Sequence, residues 1–329
     1  MTAMTGAPSD SGRRFDFGDF LHRFGTLGIF IVLVVAASFW SPSFLTRSNL
    51  LNVLRQVASS AGIMAVGMLY VILTRGIDLS VGSIAALGSV LSAYFIAFSG
   101  YGVPVSILLV ILSGAACGVV TGSFVAYLKL PSFVMSLAMM AIARGLSLIF
   151  SAGRPIPLGD GGDALADFGS GFLFGLPQPV ILMFAIFIIG GIVLNFTSFG
   201  RIITAIGSNE EAVRLSGIPV PRYILAVYVI SGALAAVAGI ISTSRTGVGS
   251  AQVGIGAELD VIAAVVIGGA SLMGGRGGVI NTLLGALVMG IIANIMNLAG
   301  VPGYNQNVYM GLIIVLAMLI QYGAGSLKR

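Results

Sequence analysis

Charged residues are scarce in this sequence. They make up 8% of its 329 residues, with 16 basic and 11 acidic positions, whereas ordinary soluble domains contain about 25%. A water-soluble protein of this length needs a polar surface that so few charges cannot supply. The composition therefore excludes a soluble globular enzyme, a disordered protein and a disulfide scaffold.

Cysteine and histidine are each present once, as Cys117 and His22. A single cysteine cannot form an intrachain disulfide. A metal site built from histidine and cysteine is excluded on the same grounds. We therefore predict no metal, no cofactor and no catalytic residue.

Apolar residues dominate instead: they make up 57% of the chain, and the mean hydropathy is +1.07. A helix needs about 20 mostly apolar residues to cross a bilayer. The sequence predicts an all-α polytopic membrane protein with about ten transmembrane helices, and for the two shortest runs, 83–98 and 259–274, a broken or re-entrant path is open. The apolar runs are 24–40, 57–74, 83–98, 104–127, 132–151, 174–196, 222–244, 259–274, 278–300 and 307–324.

The basic residues predict the orientation. With the N-terminus in the cytoplasm, eleven fall inside and only Arg47, Arg55, Arg154 and Arg245 fall outside, as the positive-inside rule requires. The first apolar run is read as a retained anchor rather than a signal peptide, because a long polar tail precedes it. We expect a cytoplasmic tail at 1–23, a permease domain at 24–324 with an inward loop at 197–223, a cytoplasmic tail at 325–329, and a glycine-rich outward loop at 152–173.

Sequence motifs for ATP binding and for hydrolytic catalysis are missing. No Walker A sequence, HExxH motif or GxSxG nucleophile elbow occurs in the chain. Arg144 is the single charge within the predicted spans, and we favour a role as donor to carbonyls of neighbouring helices over contact with a ligand. Asp78, Glu258 and Asp260 are placed at span ends, which weakens ion-driven transport.

Uncharged polar residues do occur within the spans. They suit a neutral, hydroxyl-rich solute, but they equally suit hydrogen bonds between helices, and for any one residue we favour packing. Gly114, Gly118 and Gly122 form a small-residue face on the fourth span, which predicts close helix packing. The polar residues are Ser89, Ser92, Thr121, Ser136, Asn281, Thr282, Asn294 and Asn297.

The inward loop contains GSNEEAVRLSGIPVP at 207–221. Asn209 is suited to cap a helix of about two turns, Gly217 to end it in left-handed geometry, and Pro219 to prevent its continuation. We expect Ala212, Val213 and Leu215 on its surface, with Arg214 beside them. Such a helix suits the groove of another protein. The alternative is an interfacial helix on lipid headgroups, which its two glutamates disfavour.

Several of these segments resemble one family. Glu211-Ala212-Val213 followed by Gly217 resembles the EAA–x3–G coupling loop of ABC importer permeases, with valine replacing the second alanine. From about residue 30 to 324, the chain also resembles the permeases of ribose and simple-sugar ABC importers. Met310, Gln321 and Asn281 depart from the family pattern. The similar stretches are GIDLSVGS (76–83), LPSFVMSLAMMAIARGL with GRPI (130–156), ELDVIAAVVIGGASLMGGRGGVINTLLGAL (258–287) and NIMNLAGV (294–301).

The resemblance implies a permease that works in the bacterial inner membrane as a pair, with a second copy of itself or a close paralogue, together with a cytoplasmic ATPase and a periplasmic sugar-binding protein. The coupling residues would be Asn209, Glu210, Glu211, Ala212, Arg214 and Gly217. The residues of a translocation path or gate would be Asp78, Ser80, Arg144, Glu258, Asp260, Asn281, Asn294 and Asn297.

The polar residues at the ends of the spans can also be interpreted as helix caps or turn residues. We favour Asp78 as a cap of the third span, assisted by Ser80 and Ser83, over a broken helix that lines the path. Glu258 and Asp260 are read first as caps of the eighth span from outside and second as an outer gate. Arg276 is read as a topology anchor within a tight glycine turn.

Three other functions are weighed. An ion-gradient-driven secondary transporter of a small neutral solute is the main alternative. An intramembrane enzyme lacks a recognisable nucleophile–base pair, and a passive polyol channel would not need ATP. The sequence does not identify the sugar.

Overall fold

In a computed structural model of the chain, the backbone is described at 17–303, 305–306, 308–313 and 315, and side chains are described from residue 25 onward. Most of the predicted tenth run (307–324), residues 1–16 of the N-terminal tail and the tail at 325–329 lie outside the described residues. Helical backbone continues beyond residue 302 at 303, 305–306, 308–313 and 315.

The described chain is mainly helical, as predicted. Its remaining regular structure is a short 3-10 turn at Asp160–Gly162 and four two-residue strands. The helices are α1 (Phe17–Trp40), α2 (Arg47–Ser59), α3 (Ala61–Leu73), α4 (Val81–Ala97), α5 (Val103–Ala126), α6 (Ser132–Ser151), α7 (Asp163–Ser170), α8 (Gln178–Phe196), α9 (Ser198–Leu215), α10 (Val220–Thr246), α11 (Ala257–Ile267) and α12 (Val279–Leu298).

Five described helices are long and apolar enough to cross a membrane: α5, α6, α8, α10 and α12. Helices α2 and α3 meet at an angle of 42° and make a sixth crossing if they are counted as one broken span. The apolar part of α1 and helix α4 are shorter. The protein is thus an all-α, multi-pass membrane protein, while the total of ten spans and the cytoplasmic location of both termini stay predictions.

The predicted eighth span at 259–274 is not a continuous helix. Helix α11 has 11 residues and is therefore about 16 Å long, about half of what a bilayer core requires. It ends at Ile267, and a turn at 268–278 rich in left-handed glycines leads to α12. The broken path left open by the sequence is the one that the chain takes here.

Both long polar loops are more ordered than expected. The loop at 197–223, which was predicted to face inward, is largely helical, because α9 occupies most of it and α10 starts at Val220. The loop at 152–173, which was predicted to face outward, contains the 3-10 turn, α7 and two strands: β1 (Ile156–Pro157) and β2 (Phe172–Leu173). Strand β1 pairs antiparallel with β4 (Val248–Gly249), and β2 pairs with β3 (Leu176–Pro177).

Helix α10 is the centre of the bundle and packs against α3, α4 and α5. The predicted glycine face of α5 makes one of these contacts. A Cβ atom at Gly114 would meet Gly232, and one at Gly118 or Gly122 would meet Tyr228. The packing interpretation of this face is therefore confirmed.

The bundle has two ends that differ in their basic residues. The α9 end holds Arg75, which contacts Gly207 and Met273. The α7 end holds Arg55, which donates to the Ser170 carbonyl, and Arg245, which donates to the Arg55 carbonyl. Arg75, which is predicted inside, and Arg55 and Arg245, which are predicted outside, thus lie at different ends of the bundle. Which end faces the cytoplasm stays a prediction.

Candidate functional site

The chain between α3 and α4 is unwound at 74–80 and carries a buried carboxylate; we call it the first break. Asp78 is only 1% exposed. Its Oδ1 atom accepts hydrogen bonds from the Ser80 amide at 3.0 Å and the Ser80 hydroxyl at 2.5 Å. Its Oδ2 atom accepts one from the Ser231 hydroxyl of α10 at 2.8 Å. Asp78 therefore fastens the first break to the central helix.

The capping prediction for this region needs a correction. The residue that caps α4 is Ser80, and its side chain makes no capping hydrogen bond. Asp78 lies two residues earlier and binds the Ser80 amide instead. Because Asp78 is buried, it does not line an open path in this conformation.

Helix α6 satisfies the backbone of the first break. The Ser132 hydroxyl accepts from the Ile77 amide at 3.2 Å, and the Ser136 hydroxyl donates to the Ile77 carbonyl at 3.2 Å. Unwound backbone inside a membrane protein needs such partners, since no lipid group can provide them. Ser136, which the sequence assigned to packing or solute contact, is thus a structural partner.

A second unwound segment, at 250–256, lies between β4 and α11; we call it the second break. A Cβ atom at Gly249 would meet Ser89 and Ala93 of α4, and one at Gly254 would meet Gly82. Between these two contacts the second break runs along about 10 Å of α4. Non-helical backbone therefore enters the bundle from the α7 end.

Glu258 and Asp260 lie in the first turn of α11, where the helix dipole favours carboxylates. Their place in the bundle differs from the expected outer end of a span. The Glu258 carboxylate lies beside Gly82 at the start of α4. Both acidic residues are half-buried, because the second break carries the start of α11 into the bundle.

Arg144 of α6 joins this group. Its Nη1 atom donates to the Ala251 carbonyl, and to the Val253 carbonyl at 3.0 Å. The guanidinium also interacts electrostatically with Glu258. Arg144 is the carbonyl donor that we favoured, but its acceptors belong to the second break rather than to neighbouring helices.

Part of the surface of the second break and of the start of α11 is not covered by any other residue that the structure describes. Gln252, Ile255 and Leu259 are exposed beside the half-buried Arg144 and Glu258. Lipid-exposed irregular backbone is not tolerated in a bilayer; such backbone needs protein or a water-filled cavity. We call this surface, made by Arg144 and residues 251–260, the polar face.

The three asparagines of α12 do not join the polar face. Asn294 is buried and exchanges two side-chain hydrogen bonds with Asn49 of α2, at 3.0 and 2.9 Å. Asn297 is exposed and accepts from Gln306 at 2.8 Å. Asn281 is half-buried, and its carbonyl lies against Gly268. Asn294 therefore fits the packing interpretation.

The predicted two-turn helix is present as the second part of α9. The backbone of Asn209 leaves helical geometry, with φ −157° and ψ 94°, and its Oδ1 atom accepts from the Ala212 amide at 3.0 Å. Gly217 is left-handed, with φ +78°. Asn209 as cap and Gly217 as terminator are thus confirmed. We call residues 209–217 the coupling segment.

The exposed side of the coupling segment differs in one residue from the prediction. Ala212 is exposed and Leu215 is 78% exposed, whereas Val213 is buried at 8%. Val213 turns inward because α9 packs against the helices of the bundle, which the isolated helix pattern does not reveal. Leu215 is therefore the large apolar side chain that this segment presents.

Two ion pairs hold the charged residues of the coupling segment. Glu211 accepts from Arg214 at 2.7 Å, and this contact raises the pKa of the Arg214 guanidinium. Glu210 accepts from Lys129 in the turn between α5 and α6, also at 2.7 Å. Both pairs are solvent-exposed, so each contributes little to stability, and their charges stay available to a partner.

Sequence reasoning missed four of the residues that organise these sites. Ser231 and Ser132 lie within the predicted spans 222–244 and 132–151, and Asn49 lies between the first two runs, without a pattern that singles any of them out. Arg75 counted only as one of the eleven basic residues placed inside. Its carbonyl partners could not be known, since they come from positions more than 130 residues away.

The chain was also compared with known proteins. The sequence model of a family described as branched-chain amino acid transport system / permease component matches residues 49–318. The ribose import permease protein of Escherichia coli (strain K12) is 42% identical over 94% of this chain and 97% of its own length. The L-arabinose transport system permease protein of the same organism is 38% identical over 100% and 98%.

A third relative carries the transporter class in its name. The L-arabinose ABC transporter permease protein of Azospirillum brasilense is 35% identical over 94% of this chain and 90% of its own length. No solved structure matches the chain significantly.

Proposed function

The chain belongs to the family of transport-system permease components, and from this premise we propose that it forms the translocation path of an ATP-driven importer for a monosaccharide or a related polyol. The proposal places the protein in a bacterial inner membrane, with residues 24–324 as one permease domain between two cytoplasmic tails. The names of the relatives, which refer to ribose and arabinose, support a sugar as solute.

The energy for transport would come from a separate ATPase subunit. The sequence contains no nucleotide-binding loop, and we assign the chain no enzymatic activity of its own. A periplasmic sugar-binding protein would deliver the solute. The printed name of the Azospirillum relative, which includes the ABC transporter class, supports this assembly.

The coupling segment is the surface that we assign to the ATPase. It protrudes at the α9 end, and its exposed Leu215 and Ala212 are flanked by the Glu211–Arg214 pair. A short helix with one large apolar side chain and a charged rim suits a groove in a partner protein. This exposed segment is the observation that carries the proposal.

The polar face is the surface that we assign to a second permease copy and to the solute path. Its backbone and half-buried charges would be unstable against lipid. A second copy placed against it would enclose a water-filled space lined by Arg144, Glu258 and Asp260. Carboxylates and a guanidinium are suitable hydrogen-bond partners for sugar hydroxyls. Asp78 and Ser80 lie one layer deeper, at the start of α4.

The ion-driven alternative is not favoured, although one argument against it changes. Three carboxylates that the sequence placed at span ends lie inside the bundle, so the lack of intramembrane carboxylates no longer counts against ion coupling. The family membership and the exposed coupling segment favour the ATP-driven assembly instead.

The test compares two charge reversals in the complex with its ATPase. Glu211→Lys changes the coupling segment, and Asp167→Lys changes an exposed carboxylate of α7 at the opposite end. We expect Glu211→Lys to reduce co-purification of the ATPase by about tenfold, while Asp167→Lys leaves it unchanged. Equal co-purification of both variants, or sugar accumulation by the wild-type chain reconstituted alone with an ion gradient, contradicts the proposal.

A further inference from the structure

Arg75 ties together three segments at the α9 end. It follows α3 directly and adopts left-handed geometry, with φ +65°. Its Nε atom donates to the Gly207 carbonyl at 2.7 Å and to the Met273 carbonyl at 3.0 Å. Its Nη2 atom donates to the Ser208 carbonyl at 2.9 Å. One side chain thus binds the end of the first part of α9 and the turn that precedes α12.

Glycines bring the three segments into direct contact. The Gly275 amide donates to the Leu73 carbonyl at 3.0 Å. A Cβ atom at Gly207 would meet the same Leu73 carbonyl, and one at Gly274 would meet the Arg75 side chain. Because Gly274 has φ +80°, a side chain there would also strain the backbone. The end of α3, the first part of α9 and the turn before α12 therefore either move as one unit or lose these contacts.

The three segments that Arg75 joins lie next to parts of the chain that the transport function would use. Gly207 and Ser208 immediately precede Asn209, where the helix kinks and the coupling segment begins. Arg75 immediately precedes the part of the first break that carries Asp78, three residues further on. Met273 and Gly275 lie in the turn before α12.

We propose that Arg75 is a positioning residue for coupled transport, whose guanidinium passes a displacement of the coupling segment to the first break and to α12. The proposal rests on the function proposed above, since it needs an ATPase on the coupling segment. It adds the route by which movement at that surface reaches the membrane-embedded part of the protein.

The chemistry of arginine matters here, and its charge alone does not suffice. The guanidinium presents several N–H donors in a fixed plane, which match carbonyls from two different directions. A lysine ammonium has the same charge but lacks this planar fork. A role as one of the basic residues that set the membrane orientation would need only the charge.

The experiment uses the permease with its ATPase and binding protein in proteoliposomes. Arg75→Gln and Arg75→Lys are compared with Arg276→Gln and Arg276→Lys. Arg276 is an exposed arginine of the same turn as Met273, and its side chain makes no hydrogen bond or ion pair with any described residue. Sugar uptake, ATP hydrolysis and co-purification of the ATPase are measured for each variant.

We expect both Arg75 variants to retain the ATPase and its hydrolysis rate but to transport about tenfold less sugar per ATP, the scale of a typical coupling between sites. The Arg276 variants should match the wild type. Should Arg75→Gln fail to insert, Arg75→Lys against Arg276→Lys carries the same comparison, since both keep the charge.

Two results overturn the inference. One is Arg75→Lys with a wild-type ratio of sugar to ATP, which would show that the charge suffices. The other is loss of ATPase co-purification in the Arg75 variants, which would place Arg75 in docking or folding. Failure of the proposed function is distinguishable, because the wild-type complex itself would then show no ATP-dependent uptake.

Discussion

At the scale of single residues, Asp78 shows how a carboxylate becomes structural in a membrane protein. A buried carboxyl group is stable only when hydrogen bonds replace its water shell. Ser80, two residues further along the backbone, supplies two such bonds, and Ser231 of α10 supplies one. The carboxylate thereby holds the first break in place, which the neighbouring helix termini alone would not do.

Replacing Asp78 by alanine should destabilise the fold markedly. The change leaves buried donors on Ser80 and Ser231 without an acceptor, and each unpaired donor costs about 1–3 kcal/mol. We expect the free energy of unfolding in detergent to fall by at least about 2 kcal/mol. Ser231→Ala, which removes one donor, should cost about 1 kcal/mol.

Ser92→Ala is the matched control for Asp78→Ala. Ser92 is equally buried, but its hydroxyl donates only to the Ser89 carbonyl of its own helix. Thermal unfolding followed by circular dichroism compares the variants. If Asp78→Ala is as stable as Ser92→Ala, the carboxylate does not hold the first break.

At the scale of helices, the contact between α5 and α10 depends on the absence of side chains. The three glycines of α5 let its backbone approach that of α10 directly. In a bilayer, where lipid is as apolar as leucine, such close packing is a main source of helix association. The pairing therefore responds to changes of single methyl groups.

Gly118→Ala should weaken this pairing, because the added Cβ atom would meet the Tyr228 carbonyl and the Val229 Cα atom, both backbone. Overpacking of this kind costs about 1–3 kcal/mol. Gly28→Ala is the control, since a Cβ atom at Gly28 of α1 meets no atom of the described residues within 4 Å. Unfolding in detergent should separate the two variants; equal stability would mean that α5 shifts to accommodate the methyl group.

At the scale of the whole molecule, we expect water access to distinguish the polar face from the apolar outer surface of α5. The polar face includes exposed Gln252 in the second break, whereas α5 exposes apolar side chains such as Leu112 at 55%. If the polar face lines a water-filled space, a thiol there can ionise, and a thiol facing lipid cannot.

Cysteine labelling tests this difference. In a Cys117→Ser background, Gln252→Cys should react with a membrane-impermeant maleimide at least about tenfold faster than Leu112→Cys, because the thiolate is the reactive form. Native Cys117, which is buried, should react slowly in the folded wild type. Equal rates at residues 252 and 112 would mean that lipid or a dry protein interface covers the polar face.

Much of the architecture could be predicted, with limits that have physical reasons. The membrane class, most helix positions and the family resemblance follow from the sequence, and the family comparisons confirm the resemblance. The boundaries fail where the chain is broken. The run at 259–274 is mostly apolar, but α11 occupies only part of it, since hydropathy does not record where glycines let the backbone turn.

The candidate site was predicted less completely. Asn209 and Gly217 act as their local chemistry requires, because capping depends on neighbours within three residues. Val213 was placed on the wrong side because its burial depends on the packing of α9 against other helices of the bundle. Arg144 was assigned the right kind of contact with the wrong kind of partner, and Glu258 was placed at the outside although it lies beside Gly82.

By itself, the sequence determined that this chain lies in a membrane as a bundle of helices and which short segment caps itself into a helix at one end. These properties depend on residues that are close together in the sequence, so they can be predicted from the sequence alone. Only the tertiary structure decided that Asp78 meets Ser231, that Arg144 meets the second break and that Arg75 joins three segments. Those partners are more than 100 residues apart, and only packing determines which polar groups must satisfy each other away from water.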